Sequence, residues 1–256
     1  MREATRRIPL EPLKGLQQLG LDEIAERKGR NADDVIFSNV ESGKPGEVLQ
    51  GRTKQQLLDD LQMLPDEVKA GLEEVCIDMW RPSAQAVIET LPQAVFVVDR
   101  FHVMRSVNTD LKALKNSRKP ALPEKAKACH YPLLKNQDDL TEQQHETLDA
   151  VYEADPVLKR AHQLKEQFRT IFETIQPLEE ARKQVQRWIS KAYKHTLFPT
   201  VITNLKTWLS STLNYVHHRT TNSPSEGINN KIKLVKRRAY GFRNFDNFRL
   251  RILTAF

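Results

Sequence analysis

The chain has 256 residues, 39% hydrophobic and 29% charged, with a net charge of +7, which is ample for one large domain or two modest ones. Its two cysteines, Cys76 and Cys129, lie far apart without a Cys-x-x-Cys or Cys/His cluster, so neither a disulfide framework nor a structural zinc is indicated and a reducing cytoplasm is expected. No apolar run approaches the roughly 20 residues of a membrane helix, and MREATRRIPLEP has no apolar segment behind its basic residues, so neither membrane insertion nor export is expected.

Residues 1–18 read as an N-terminal extension. Leu19–Glu26 (LGLDEIAE) suits a helix about as well as a strand by apolar spacing. Asp34–Glu41 reads as a strand, SGKPG as a turn and Glu47–Arg52 as the second strand of a hairpin. Thr53 caps a helix to Leu64 with Leu57, Leu58, Leu61 and Leu64 on one face, ended by Pro65. A strand Glu74–Asp78, a helix Ser83–Leu91 and a strand Ala94–Asp99 follow. Both strands are apolar runs that stop at an aspartate, and a buried strand of this kind delivers its carboxylate to the carboxyl edge of a sheet, where open α/β folds do their chemistry. Asp78 and Asp99 are therefore metal or acid/base candidates. The succession implies an α/β fold with a mixed sheet covered by helices.

From Phe101 the pattern turns helical, with Phe101, Met104, Val107, Leu111 and Leu114 at helical spacing as far as Pro120. Tyr131–Thr221 holds only helical patterns, with Trp188 and Trp208 as expected core anchors, which reads as an all-helical insertion over about 121–222.

The last segment locates the charge. Gly227–Phe256 carries eight cations, Lys231, Lys233, Lys236, Arg237, Arg238, Arg243, Arg249 and Arg251, against the single acid Asp246, and the remaining residues balance. A basic excess confined to one short stretch is a footprint for a polyanion, with a solvated helix face as the bland alternative. Here Ser223 is expected to cap a helix, with Pro224 at its first position and Glu226 three residues after the cap. Ile228, Ile232, Val235 and Ala239 would form the buried stripe, which turns Glu226, Asn230, Lys233 and Arg237 onto another face, and Gly241 ends the helix.

Four pieces, LDEIAERKG at 21–29, VCIDMW at 75–80, PQAVFVVDRFHVMRSVN at 92–108 and NSPSEGINNKIKLVKRRAYGFRNF at 222–245, resemble the DDE transposases of bacterial insertion sequences, in particular the ISL-three group. The resemblance runs from about Leu19 to the end of the chain. It implies a catalytic domain over 19–256 of ribonuclease-H-like fold, interrupted by the helical insertion. The family's acidic triad falls on Asp22, Asp78 and Glu226, as catalytic residues and metal ligands. Asp99 and His102 match its Asp-x-x-His signature as support to the site.

The implied reaction is metal-dependent DNA cleavage and strand transfer. Two Mg2+ or Mn2+ ions, about 3.5–4 Å apart, would activate a water or a DNA 3′-hydroxyl and stabilise the leaving oxygen. Asn230, Lys233, Lys236, Arg237, Arg238 and Arg243 would hold DNA, the cations gripping its backbone without reading sequence. Transposon ends and target DNA are the implied partners, with a homodimer plausible for joining two ends and a cytoplasmic, nucleoid-associated location. The group usually carries a zinc-binding region and a helix-turn-helix ahead of this domain, whereas this chain begins almost at the first catalytic strand. A truncated, catalytically inactive DNA-binding remnant is therefore the alternative function, and a ribonuclease H or resolvase a third.

Each residue also has a bland counterpart. Without the resemblance Asp22 reads as a surface acid on an amphipathic helix, Asp78 has the alternative of a cap for the helix at Pro82 or a polar strand end, and Glu226 that of a capping-box partner of Ser223. Asp99 could pair with Arg100 or Arg105, and His102 could be a satisfied structural histidine. Tyr240, Phe242, Phe245 and Phe248 could stack on bases, or pack the C-terminal turn onto the domain.

Overall fold

The computed structural model describes residue 13, residues 15–25 and residues 33–256, leaving aside the side chains of residues 25, 33 and 223–226. Most of the expected N-terminal extension and residues 26–29 of the first family motif lie outside it. Two compact units emerge. The first comprises the chain up to Phe101 together with His218–Phe256, and the second is His102–His217.

The first unit is built on β1 (Gln18–Ala25), β2 (Asp33–Asn39), β3 (Lys44–Leu49), β4 (Glu74–Ile77) and β5 (Val95–Val98). Their order across the sheet is β3-β2-β1-β4-β5, with β2 antiparallel to both neighbours and β1, β4 and β5 parallel. This is the expected α/β class, a mixed sheet flanked by helices in the ribonuclease-H-like arrangement. Of the ambiguous Leu19–Glu26, residues 19–25 are strand, because both faces of β1 are covered: Leu19 and Leu21 are buried on one side and Ile24 on the other, while Glu26 lies outside the described residues. Lys44 and Pro45, read as turn, belong to β3, and a proline is tolerated there because β3 is an edge strand.

Helices α1 (Lys54–Gln62), α2 (Asp66–Gly71) and α3 (Arg81–Thr90) link the strands. Thr53 caps α1 as expected: its hydroxyl accepts the Gln56 N–H, and the Gln56 side chain accepts the Thr53 N–H. Two C-terminal helices of this unit, introduced below, close over the hairpin strands and bury Ile24, Ile36 and Val48.

The second unit is all helical, comprising all but the ends of α4 (Arg100–Arg118) and α10 (Pro199–His218) with α5 (Glu124–Lys127), α6 (His130–Leu134), α7 (Glu142–Ala154), α8 (Pro156–Glu173) and α9 (Leu178–Lys194). Its core stacks Phe168 on Trp188 at 4.5 Å, and the Trp188 indole donates to Leu164 O at 2.7 Å. Trp208 is half-buried rather than a core anchor. A polar network threads the interior. The Tyr152 hydroxyl meets His162 Nδ1 at 2.7 Å, and Lys165 Nζ reaches Leu133 O at 3.2 Å and Glu166 at 2.6 Å. Among the described residues no helix is long and apolar enough to cross a membrane.

The chain returns to the first unit with α11 (Ser223–Arg238) and α12 (Phe245–Leu253). Ile228, Ile232, Phe248 and Ile252 of these helices complete the core over β1–β3. The N-cap of α11 is Asn222, not Ser223, so Glu226 occupies the fourth helical position rather than the third, away from the expected capping-box place. Nor does Ala239 extend the buried stripe. It is the exposed C-cap residue, and Val235 is only half-buried.

Candidate active site

Strand register brings the aspartates together. Gly20 pairs with Cys76, and Cys76 with Val97. Two residues on, by the period of a strand, the next positions on the same face are Asp22, Asp78 and Asp99, one row across three adjacent parallel strands. Neighbouring strands run about 4.8 Å apart, which sets the spacing along such a row. β4 and β5 end at this level, so Asp78 and Asp99 stand at the carboxyl edge. Their shared level is maintained by the Asp99 N–H, which donates to Ile77 O at 3.0 Å.

Each carboxylate is fixed differently. Asp22 Oδ1 accepts the Glu23 N–H at 2.8 Å, and its Oδ2 accepts the Asn229 side-chain amide of α11, also at 2.8 Å. Asp78 Oδ1 accepts the Trp80 N–H at 3.1 Å; it does not cap α3, whose N-cap is Trp80. Asp99 is buried directly before α4. Its Oδ1 accepts the Phe101 N–H at 3.2 Å, as an N-cap does, and the Thr221 hydroxyl at 3.0 Å.

The electrostatics single out Asp78. Burial raises its pKa above the ordinary carboxylate value and the charge of Asp99 adds to this, while the Trp80 N–H and Arg52 oppose it. Arg52 pairs with Glu23 at 2.5 Å and lies 5.1 Å above the Trp80 ring, so the guanidinium whose charge acts on Asp78 is held in place from two sides. A partly desolvated carboxylate beside a second one is relieved by a hard cation, and carboxylate oxygens are the donors that Mg2+ and Mn2+ prefer. Among the described residues no group of three or more His, Cys, Asp or Glu side chains is close enough to hold a metal ion. Asp22 and Asp78 offer two donors, and the Glu226 side chain lies outside the described set.

α11 is tied to this edge by side chains that sequence patterns do not single out. Asn222 donates to Leu21 O at 3.0 Å and Asn229 to Asp22. Just before them, the hydroxyl of Thr220 and His218 Nδ1, the latter at 2.9 Å, meet the buried Glu74. Asn229, not its neighbour Asn230, reaches the carboxylate row; its signal was a position three residues, one helical turn, after Glu226. His102 lies on α4 three residues beyond Asp99.

The cations of the last segment divide in two. Lys233, Arg237, Arg238, Arg243 and Arg251 are exposed, the first three along α11 beside the equally exposed Asn230. Lys236 is half-buried above the Phe248 ring at 5.8 Å, Lys231 lies 4.0 Å from the Phe256 ring, and Arg249 forms a bidentate pair with the buried Glu47. Three of the eight cations therefore hold the fold together. Of the four C-terminal aromatics, Phe248 is buried with Phe242 and Phe245 packed at its cluster, while Tyr240 is fully exposed.

Comparison with known proteins shows the family. The family model of the ISL-three group of DDE elements, described as "Transposase", matches residues 19–252. The chain is 29% identical over 254 residues to the "Transposase for insertion sequence element IS1001" of Bordetella parapertussis, covering 94% of this chain and 61% of that protein. It is 27% identical over 264 residues to the "Transposase for insertion sequence element IS1557" of Mycobacterium tuberculosis, covering 92% and 59%. The chain thus spans about three fifths of the length of these curated relatives. A shorter match, 41% over 56 residues, is to an "ATP-dependent protease" of Lactococcus lactis and covers 22% of this chain. No solved structure matches.

Proposed function

The chain belongs to the ISL-three group of DDE transposases, and from that premise we propose that it is a catalytic region that cuts and rejoins DNA at Asp22, Asp78 and Glu226. The observation that carries this reading is the in-register row of Asp22, Asp78 and Asp99 at the carboxyl edge, with the turn of α11 that bears Glu226 tethered to it by Asn222 and Asn229. Bound divalent ions, two in the full site, would be held by Asp22, Asp78 and Glu226 and would supply Lewis-acid activation of the attacking and leaving oxygens.

The chain's own groups do the rest. Asn229 orients Asp22 Oδ2, and the Trp80 N–H fixes Asp78 Oδ1. Asp99 holds the Phe101 N–H and the Thr221 hydroxyl at the far end of the row, a positioning role; the family signature assigns His102 the same kind of role. Asn230, Lys233, Arg237, Arg238 and Arg243 hold the DNA backbone, with Lys236 contributing from the edge of the α12 packing. Transposon ends and target DNA are the substrates, joined by a homodimer on nucleoid DNA in the cytoplasm. The family match runs through every element bearing a candidate carboxylate, which favours catalysis over an inactive remnant.

The test is Mg2+- or Mn2+-dependent cleavage of duplexes carrying element ends. Asp22→Asn and Asp78→Asn should each lower the rate by on the order of 10²–10³-fold or more, while salt-sensitive duplex binding survives. Cleavage that persists in Asp78→Asn would remove the proposed site. Binding without cleavage under any divalent ion would favour the remnant.

A further inference from the structure

The turn between α11 and α12 presents a side chain that folding does not explain. Its three phenylalanines are accounted for: Phe248 is buried, with Phe242 and Phe245 at 5.3 and 6.3 Å from its ring. Tyr240 is 100% exposed. Its backbone has φ +55°, the left-handed region that a side chain disfavours, and Gly241 follows at φ +93°. The turn is nonetheless well fixed, because the Tyr240 N–H donates to Arg237 O at 3.2 Å and the Gly241 N–H to Lys236 O at 3.0 Å. Phe242 anchors the chain immediately afterwards.

An aromatic ring is thus held out on a rigid support, at a conformational cost and with no burial in return. Exposed cations flank it, Arg237 and Arg238 just before and Arg243 three residues after. A flat π-face set among backbone-binding cations is the combination that takes unpaired nucleobases, and it accepts any base because every base has a π-face.

We infer that Tyr240 is a stacking platform for an unpaired base of the DNA strand whose phosphates lie along α11. The ligand is a nucleobase splayed from the duplex, at a strand end or gap, and the ring rather than the hydroxyl does the binding. The inference rests on the DNA reading of α11, and the test separates the two.

The full chain, as wild type, Tyr240→Ala and Tyr240→Phe, is titrated against a duplex and against the same duplex with a short unpaired stretch containing 2-aminopurine. Wild type should prefer the unpaired substrate and alter its fluorescence. Tyr240→Ala should lose roughly 5- to 100-fold of affinity for that substrate alone, the range expected for one stacked base. Tyr240→Phe should match wild type. Melting temperatures of Tyr240→Ala and Tyr240→Gly at or above wild type would support a ring with no part in the fold. Equal binding of both substrates by wild type and Tyr240→Ala, without a 2-aminopurine response, would overturn the inference and leave the DNA reading intact. No salt-sensitive binding by wild type would overturn both. Loss of self-association in Tyr240→Ala with unpaired-DNA binding unchanged would assign the ring to a protein interface instead.

Discussion

Gly20→Ala tests how α11 is locked onto the sheet. A Cβ at Gly20 would lie 2.3 Å from Asn222 Oδ1 and 2.5 Å from Ser38 Oγ, closer than such contacts tolerate. Neither group yields cheaply. Both are buried, Ser38 Oγ donates to Gly20 O at 3.3 Å, and Asn222 can swing away only by giving up Leu21 O. Overpacking of this kind costs about 1–3 kcal/mol, and a buried polar group left unpaired about 1–3 kcal/mol more. A loss of about 2–6 kcal/mol follows, equivalent to roughly 4–24 °C in melting temperature for a chain of this size.

Asn222→Ala alone should cost about 1–3 kcal/mol for the lost bond. In Gly20→Ala/Asn222→Ala the new methyl takes the space of the departed amide, so the double variant should be more stable than the sum predicts by about 1–2 kcal/mol. Urea denaturation of the four proteins, followed by circular dichroism, measures the cycle. A neutral Gly20→Ala, or additivity within about 0.5 kcal/mol, would refute the lock.

Asp78→Asn should remove cleavage yet leave the protein as stable as wild type or more so at neutral pH. The folded pKa of Asp78 is raised, so the fold is favoured while the group is protonated and loses that advantage as pH rises through the folded value. The stability gap between variant and wild type should therefore widen from acid to neutral pH, and a gap that narrows would contradict the sign. In the helical unit, burial, reinforced by Lys165 and opposed by Glu166, pushes His162 down to about 4 from an ordinary 6.5. Its contribution is lost as pH falls between these values, by at most about 3 kcal/mol. His162→Phe should flatten that slope in a thermal scan, at a constant cost of about 1 kcal/mol from the Tyr152 hydroxyl; an unchanged slope would acquit His162. Phe248→Ala should cost about 3–5 kcal/mol and weaken duplex binding along with it, because the same ring supports the basic helix. Full stability in calorimetry would show that the cluster around it is dispensable.

What could be read from the chain was what neighbouring residues decide. The apolar runs ending at Asp78 and Asp99, and the Thr53 cap, depend on sequence a few positions away and appear as expected. Leu19–Glu26 had no clear period because β1 is covered on both faces, a fact fixed by partners far along the chain. The N-cap of α11 lies one residue before the expected one for a related reason. Asn222 occupies the cap position but uses its amide on Leu21 O, so local capping statistics pointed to Ser223 instead. The apolar stripe Ile228, Ile232, Val235 and Ala239 phases the helix so that Asn230 shares a face with Glu226, whereas the residue that meets the sheet is Asn229, through Asp22 on β1. The row itself needs the parallel register of three strands, which no single segment encodes.

The bonds from Asn222 to Leu21 and from Asn229 to Asp22 close over 201 and 207 residues. At a synthesis rate of about 5–20 residues per second, roughly 10–40 s pass between the making of Asp22 and the arrival of its partner on the ribosome. During that interval the sheet has neither its basic helix nor the apolar cover of Ile228, Ile232, Phe248 and Ile252 over Ile24, Ile36 and Val48. A nascent chain is thus both unarmed and sticky until its final two helices emerge. A chain cut short before these helices would leave Ile24, Ile36 and Val48 uncovered and would lack the cations of α11, so one truncation removes the apolar cover and the basic face together.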